Sequence, residues 1–305
     1  MSVGRITNQM VTQSVLAEIN QAETAMDTTE EQLSSGLTIN EPSDNPSGAS
    51  LAIQLNAQLS QLTGYTNNIT DGTAWTEAAS SALTTVQDEV QRVQELVVSA
   101  GNGTNSQSDL DADADEVNQL ISSIKSAANS QYDGQYIFSG SATSTEPYQT
   151  ATGDTFQGNT SAITRAIAPG TSVQVNANLS SVLGNGSAAG DGGILDTLET
   201  IASDLQSGNT SALNSTDLTN LTTNLGQLSQ VQTAIGATQD QLQLASTQIS
   251  NLQTSVTSEL SNDEDTNMAS AMTTYSNQQA AFEAALQAGA SIVQTSLMNF
   301  LNTSG

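Results

Sequence analysis

From Leu228 onward, apolar or small residues recur at Val231, Ile235, Thr238, Leu242, Ala245, Ile249, Leu252 and Val256, in unbroken steps of three and four. A 3-4 alternation sustained over four heptads is the spacing of a helical seam packed lengthwise against another helix, and no strand can use it. A chain that contains such a seam is committed to long helices. Aromatic residues make up only 3% of it, which disfavours wide cores filled by large rings but suits narrow seams of Ala, Val, Leu and Ile.

The same spacing appears elsewhere. Val15, Ile19, Ala22, Met26, Thr29 and Leu33 form a stripe on a first helix, and Gly36 reads as its C-cap. The stretch "SSGLTINEPSDNPSG" at 34–48 then concentrates turn formers, with Pro42 and Pro46 preventing early resumption of the helix. A second helix is predicted from about Ser47 to Ala100, with Leu55, Leu59, Leu62, Thr66, Ile69, Trp75, Ala79, Ala82, Val86, Val93 and Leu96 along its seam. A third, over 108–131, carries Val117, Leu120, Ile121, Ile124 and Ala127 on one face. Over 132–190 the character changes to short alternating runs such as "SVQVNANL", punctuated by Gly and Pro, as in a small β-rich insert. Helical periodicity resumes at Ile194 and is interrupted by "SNDEDT" at 261–266. It closes with a stripe through Met272, Tyr275, Gln279, Phe282, Leu286, Gly289, Val293, Ser296 and Phe300. The fold class is therefore mainly α: long antiparallel helices from both chain ends in a coiled-coil or bundle rod, with a small β-rich insert in the middle.

Charge narrows the partners. Thirty-one acidic residues stand against Arg5, Arg92, Lys125 and Arg165, a net charge of −27. No basic patch can neutralise phosphates or anionic lipid, so neither nucleic acid nor a membrane surface is an expected partner. With no Cys and no His, thiol chemistry, disulfides, imidazole metal sites and His-based catalysis are excluded. The opening "MSVGRITNQMVTQSV" lacks the apolar run of a cleaved secretory signal peptide.

The remaining motifs have plain explanations. "DLDADADE" at 109–116 fails as a calcium loop, because Ala114 and Leu120 stand where Gly and a bidentate Glu belong. It reads as an acidic first turn that complements a helix N-terminus, and "NDEDT" at 262–266 reads as a break followed by a similar start. "GNGSAAGDGG" at 184–193 matches no phosphate-binding spacing and reads as a flexible hairpin or hinge. No catalytic residue, cofactor or metal site is expected.

Three stretches resemble the flagellin superfamily: "LSSGLTINEPSDNPSGASLA" at 33–52, "QELVVSAGNGTNSQSDLDADADEVNQLISSI" at 94–124, and "SELSNDEDTNMASAMTTYSNQQAAFEAALQAGASIVQTSLMNFL" at 258–301. "PSDNP", "GQYIFSG" at 134–140 and the ending "TSLMNFL" are similar to the branch that includes hook-associated protein 3, the junction between hook and filament. Flagellin, the filament subunit, is the alternative. Leu37 and Thr38 after Gly36, and "IGATQ" at 235–239, stand where the superfamily usually has basic residues.

The resemblance implies a non-enzymatic structural protein outside the cell in the bacterial flagellum. It would be exported without a cleaved signal peptide and delivered by a flagellar export chaperone. The implied partners are other copies of itself in a ring, the neighbouring hook-associated protein 1, and flagellin. It also implies a terminal assembly domain (1–42 with 262–305), a helical rod domain (43–131 with 191–261) and a small outer domain (132–190). Ile19, Met26, Leu33, Phe282, Leu286, Val293, Leu297 and Phe300 are the expected assembly residues, and Ser35, Gly36, Pro42, Asp44 and Pro46 form the domain-linking hallmark.

Overall fold

The computed structural model describes residues 8–149, 155–187 and 189–303. The chain forms two compact units, Met1–Ser60 with Gln253–Gly305, and Gln61–Leu252. The first holds α1 (Asn8–Ser35), the start of α2 (Pro46–Ala100), the end of α7 (Leu218–Glu264) and α8 (Met268–Thr303). The second holds the rest of α2 and α7, with α3 (Gln107–Ala128), β1 (Gln131–Tyr132), β2 (Gln135–Tyr136), β3 (Thr164–Ala168), β4 (Thr171–Gln174), α4 (Ser180–Leu183), α5 (Ile194–Ser207), α6 (Thr210–Ala212) and a π-helical turn, Leu213–Asp217.

The helical seams are where the spacing puts them, with informative exceptions. On α7 one line of the heptad seam, Leu228, Ile235, Leu242, Ile249 and Val256, is buried throughout, while Leu252 from the other line is 42% exposed. On α2 the stripe runs in unbroken sevens through Leu55, Leu62, Ile69, Thr76, Leu83, Val90 and Val97, and from Trp75 onward Ala79, Ala82, Val86 and Val93 widen it. Gly72 sits just before the widening. A Cβ there would meet Val175 Cγ1 at 3.0 Å and Leu242 Cδ1 at 3.5 Å, so a helix interior accepts Gly in exchange for close approach of two neighbours. The "SNDEDT" break falls later than its composition suggests, because α7 continues to Glu264 and Asn267, not the acids, caps α8, its Oδ1 accepting from Ser270 N at 3.1 Å.

Few charges are available to decorate these helices, and hydroxyls take their place. Thr66, Thr70, Thr73, Thr84, Thr222, Thr233 and Thr273 each donate Oγ1–H to the carbonyl four residues earlier. These side chains satisfy themselves on their own helix. The charged ties are sparse. Arg92 on α2 donates to Glu95 at 3.1 Å and to Glu116 of α3 at 2.7 Å, and Arg165 on β3 donates to Asp71 at 2.6 Å.

The strand region is not a separate globule. Ile137, Phe138, Tyr148, Val175, Leu179 and Leu183 are buried in one continuous cluster with α2, α3, α5 and α7. Both hairpins are short and antiparallel, Gln131↔Tyr136 in one and Arg165↔Val173 in the other. The first turns through Asp133 (φ 49°) and Gly134 (φ 72°), the backbone of a tight primed turn. The alternation in "SVQVNANL" stops acting as a strand after Gln174, because the Asn176 side chain takes over: its Oδ1 accepts from Ile163 N at 2.7 Å and its Nδ2 donates to Ser161 O at 2.9 Å. The Gly-rich stretch 184–193 is likewise tied rather than loose. Asp191 accepts from Asn185 N (2.7 Å) and Gly193 N (3.0 Å), and Asp196 from Gly190 N (2.9 Å) and Gly192 N (3.1 Å). Burial pushes the Asp191 carboxyl up, but the N–H groups of Asn185 and Gly193 outweigh it and hold the group below the usual carboxylate range.

The acidic start of α3 is a reciprocal cap. Ser106 accepts from Asp109 N while Asp109 accepts from Ser106 N and Oγ, which holds the Asp109 carboxyl below its ordinary range. Ser106→Ala is expected to cost about 1 kcal/mol, read from urea denaturation followed by circular dichroism. In the wild type the Asp109 contribution is present at neutral pH and is lost as pH falls through its lowered folded value; in Ser106→Ala that acid dependence flattens.

Candidate assembly surface

The unit that holds both chain ends is closed by a short piece of backbone. Gly36 (φ 76°) ends α1 in the left-handed conformation, its N–H donating to Gln32 O at 2.9 Å. Leu37 then pairs with Asp265 across an isolated antiparallel bridge: Thr38 N donates to Glu264 O at 2.6 Å and Thr266 N to Gly36 O at 2.9 Å. Ser35 Oγ accepts from Leu37 N at 3.1 Å. Pro42 occupies the second position of a turn closed by Asp44 N donating to Glu41 O at 3.0 Å, a place for which its fixed φ is suited. The Asp44 carboxylate accepts from Asn40 N (3.0 Å) and Glu41 N (2.9 Å) and locks that turn. Pro46 is the first residue of α2, where its missing N–H costs nothing, and Asn45 Oδ1 caps the helix by accepting from Gly48 N at 3.1 Å. Two participants carry no signal in the sequence. Ile39 is buried, and a Cβ on Gly48 would stand 2.5 Å from Ile39 Cδ1, so glycine there leaves room for the Ile39 side chain as it sits.

Beyond the bridge, α1 and α8 pack as an antiparallel pair. Thr29 and Gln32 line a cavity of about 180 Å³ with Ser270, Ala271 and Thr274, while Val15 and Ile19 reach Gly289 at the other end. Ile19, Met26 and Leu33 on α1 are half-buried, as is Phe282 on α8. Leu286 is 45% exposed and Met272 65%. The buried face of α8 therefore runs through Ala271, Tyr275, Gln278, Phe282, Ala285 and Gly289, which divides the stripe read from spacing. A wide apolar helix carries two usable faces, and spacing alone does not say which one the chain keeps for itself. Val293, Leu297 and Phe300 lie on α8, but their side chains are outside the described residues. Gln278 Oε1 is buried with no donor, and no periodicity signals it, because Gln belongs as readily on a wet face.

Two observations distinguish this unit chemically. Among the described residues its exposed large apolar side chains include Met10, Leu16, Ile53, Met268, Met272 and Leu286. Over its described length α1 carries Glu18, Glu23, Asp27, Glu30 and Glu31 with no base, whereas α8 carries Glu283 as its only carboxylate. One helix is acidic and the other nearly uncharged, and both present apolar side chains to the surroundings. Such a surface can associate with apolar partners. Among the described residues no three acidic groups are placed to hold a metal ion, and no helix is long and apolar enough to cross a membrane.

The bacterial flagellin N-terminal helical region matches residues 6–143 and the bacterial flagellin C-terminal helical region matches 218–301, more than two thirds of the chain between them. The chain belongs to the flagellin superfamily of flagellar proteins. It is 37% identical to a flagellin of Salmonella muenchen over 117 residues, 38% of this chain and 23% of that protein, and 34% identical to the phase 1 flagellin of Salmonella naestved over 122 residues, 40% and 24% of the two chains. It thus spans about a quarter of the length of these curated relatives. Its fold is that of a flagellar hook-associated protein of Vibrio parahaemolyticus (TM-score 0.67, 20% identity, 73% of this chain and 100% of that one). It is also that of FlgL of Bacillus cereus (TM-score 0.59, 21% identity, 68% and 99%) and of hook-associated protein 3 of Legionella pneumophila (TM-score 0.60, 15% identity, 68% and 98%).

The α1–α8 pair approaches closely at Gly289, where a Cβ would meet Val15 Cγ1 at 3.2 Å and Ile19 Cδ1 at 3.3 Å. Gly289→Leu is expected to weaken the pair by about 1–3 kcal/mol through overpacking, seen as earlier loss of helical signal in urea. Gly236→Leu, on a helix position with open space around it, is the control and is expected to show no loss.

Proposed function

We propose that this chain is a junction subunit of the hook-associated protein 3 type, a non-enzymatic link between flagellar hook and filament. The observation that carries this reading is one of size and architecture. The likeness to the hook-associated structures takes in 98–100% of those chains, with one small strand-bearing region between the helical arms. The sequence likeness to flagellins stops at a quarter of their length. In this reading copies of the chain form a ring beyond the hook, with hook-associated protein 1 on one side and flagellin on the other, after export by a route that uses a flagellar chaperone and no cleaved signal. Residues 1–42 and 262–305 are the assembly part, 43–131 and 191–261 the rod, and 132–190 the outer part.

The α1–α8 pair supplies the contacts. Ile19, Met26, Leu33 and Phe282 are half-buried within one subunit, and the apolar rows that continue outward through Leu286, and along α8 to Val293, Leu297 and Phe300, meet the neighbouring copies. The hallmark Ser35, Gly36, Pro42, Asp44 and Pro46 sets how the chain passes from the assembly part into the rod. A second reading, that the chain is itself a filament subunit, is favoured by its 34–37% identity to flagellins.

A polymerisation assay tests both. The purified protein, with salt raised in steps, is expected to form no long filaments and to incorporate at the ends of isolated hooks that carry hook-associated protein 1. Incorporation is expected to increase with salt, because the five carboxylates of α1 repel between copies until screened. Long uniform filaments from the protein alone would make it a flagellin.

A further inference from the structure

The chain contains the dipeptide Asn-Gly twice, as Asn102-Gly103 and Asn185-Gly186. Such a pair carries its own reaction: the glycine backbone nitrogen can attack the asparagine side-chain carbon. No Cβ stands over that nitrogen, and glycine takes up the conformation that attack requires. Whether it reacts depends on how the two groups are held, since a small departure from attack geometry slows an intramolecular step by orders of magnitude. The structure holds the two pairs in opposite ways.

Asn102 is unengaged at both groups the reaction uses. It lies in the connection between α2 and α3, and both it and Gly103 are exposed. Among the described residues neither the Asn102 side-chain amide nor the Gly103 N–H is hydrogen-bonded, and a Cβ on Gly103 would meet nothing within 4 Å. The chain on either side is fixed. Gly101 donates to Val97 O at 2.9 Å and accepts from Asn214 Nδ2 at 2.7 Å, and Asn105 Nδ2 donates to Ser99 O at 3.2 Å. Asn105 is not a second candidate, because the nitrogen that would attack it, that of Ser106, is occupied in donating to Asp109 Oδ2 at 3.1 Å.

Asn185 is clamped. Its backbone N–H and its Nδ2 both donate to Asp191 Oδ2, at 2.7 and 3.1 Å, and its carbonyl accepts from Phe156 N at 2.8 Å. Gly186 is buried, which keeps solvent base from its nitrogen. The Asp191 carboxylate also sets a like charge beside any negative charge that develops on the attacked amide.

We propose that Asn102 is a site of spontaneous modification, converting in the folded protein to aspartate and isoaspartate, while the Asp191 clamp keeps Asn185 an asparagine. The Gly103 nitrogen gives its proton to a solvent base and bonds to Asn102 Cγ. The Cγ–Nδ2 bond breaks, Nδ2 leaves as ammonia, and a five-membered cyclic imide remains. Water then adds to one of the two imide carbonyls and breaks its bond to nitrogen. Opening at Cγ gives aspartate; opening at the backbone carbonyl carbon gives isoaspartate, whose main chain runs through Cγ. The sum is an amide and a water exchanged for a carboxyl group and ammonia. The new charge stands at the C-terminal end of α2, where the helix dipole disfavours it. The isoaspartate form also lengthens the main chain by a carbon beside the Gly101–Asn214 contact that ties the π turn to α2.

The test follows the whole folded chain over time at mildly alkaline pH, beside the same chain unfolded in guanidinium at that pH. Trypsin cuts after Arg92 and Lys125 release residues 93–125, which hold Asn102 and Asn105 together, and the piece after Arg165 holds Asn185. Fragmentation by mass spectrometry then locates each conversion and separates aspartate from isoaspartate. Asn102 is expected to convert in the folded chain within about threefold of its unfolded rate, and Asn185 to be slowed at least about tenfold. Both products are expected at Asn102, and none in Asn102→Gln, whose longer side chain cannot close the same ring. Slowing of Asn102 as strong as that of Asn185, aspartate without isoaspartate, or an unchanged signal in Asn102→Gln overturns the proposal. Asp191→Ala is expected to speed conversion of Asn185 in the folded chain at least about tenfold, and no change there overturns the clamp. If that variant does not fold, the folded-to-unfolded ratio at Asn185 in the wild type decides the same point.

Discussion

Two hydrogen bonds between residues on either side of Leu37 and Asp265 bring together parts of the chain separated by most of its length. Closing a loop of that size costs about 5 kcal/mol in chain entropy, which the bridge alone cannot offset. The cost is met by what the bridge enables, an antiparallel α1–α8 pair in register from Thr29 and Ala271 at one end to Ile19 and Gly289 at the other. The bridge sets where the two helices start relative to one another, and the helices supply the apolar burial that holds the bridge shut. The turn formers between α1 and α2 serve this purpose. Gly36 turns the chain, Asp44 and Pro42 fix the turn, and Gly48 lets it fold back over Ile39.

Electrostatics constrain the rest by their scarcity. Among the described residues Arg92 joins α2 to α3 and Arg165 fastens the second hairpin to α2, and pairs as exposed as these add little to stability. Stability has to come from the continuous apolar cluster of the second unit and from backbone groups satisfied locally. That explains why carboxylates such as Asp44, Asp109, Asp191 and Asp196 are used as acceptors for N–H groups rather than as ion-pair partners.

The helical layout was legible because 3-4 spacing leaves no other solution for segments such as Leu228–Val256, and because Gly36, Pro42 and Pro46 act through their own backbone restrictions. What was hidden depends on tertiary approach. Gly72 looks like a weak point in a helix until Val175 and Leu242 are seen beside it. The run after Gln174 alternates like a strand, yet Asn176 ends the pairing with its side chain, a choice no period records. The acids near 262–266 suggested a helix start, whereas α7 runs on to Glu264 and the cap falls to Asn267. On the assembly surface, spacing found the apolar residues of α8 but could not divide them between the face turned to α1 and the face left outward, since Phe282 and Leu286 satisfy one heptad equally.

The threonines that donate back to their own carbonyls have a mechanical consequence. A hydroxyl inserted beside an i−4 hydrogen bond lengthens it slightly and lets the helix bend at that point. Along α2 and α7 such donors recur at Thr66, Thr70, Thr73, Thr84, Thr222, Thr233 and Thr238, spreading the weakness in small steps instead of concentrating it at a proline. A helix built this way is suited to bending gradually over many turns rather than kinking at one.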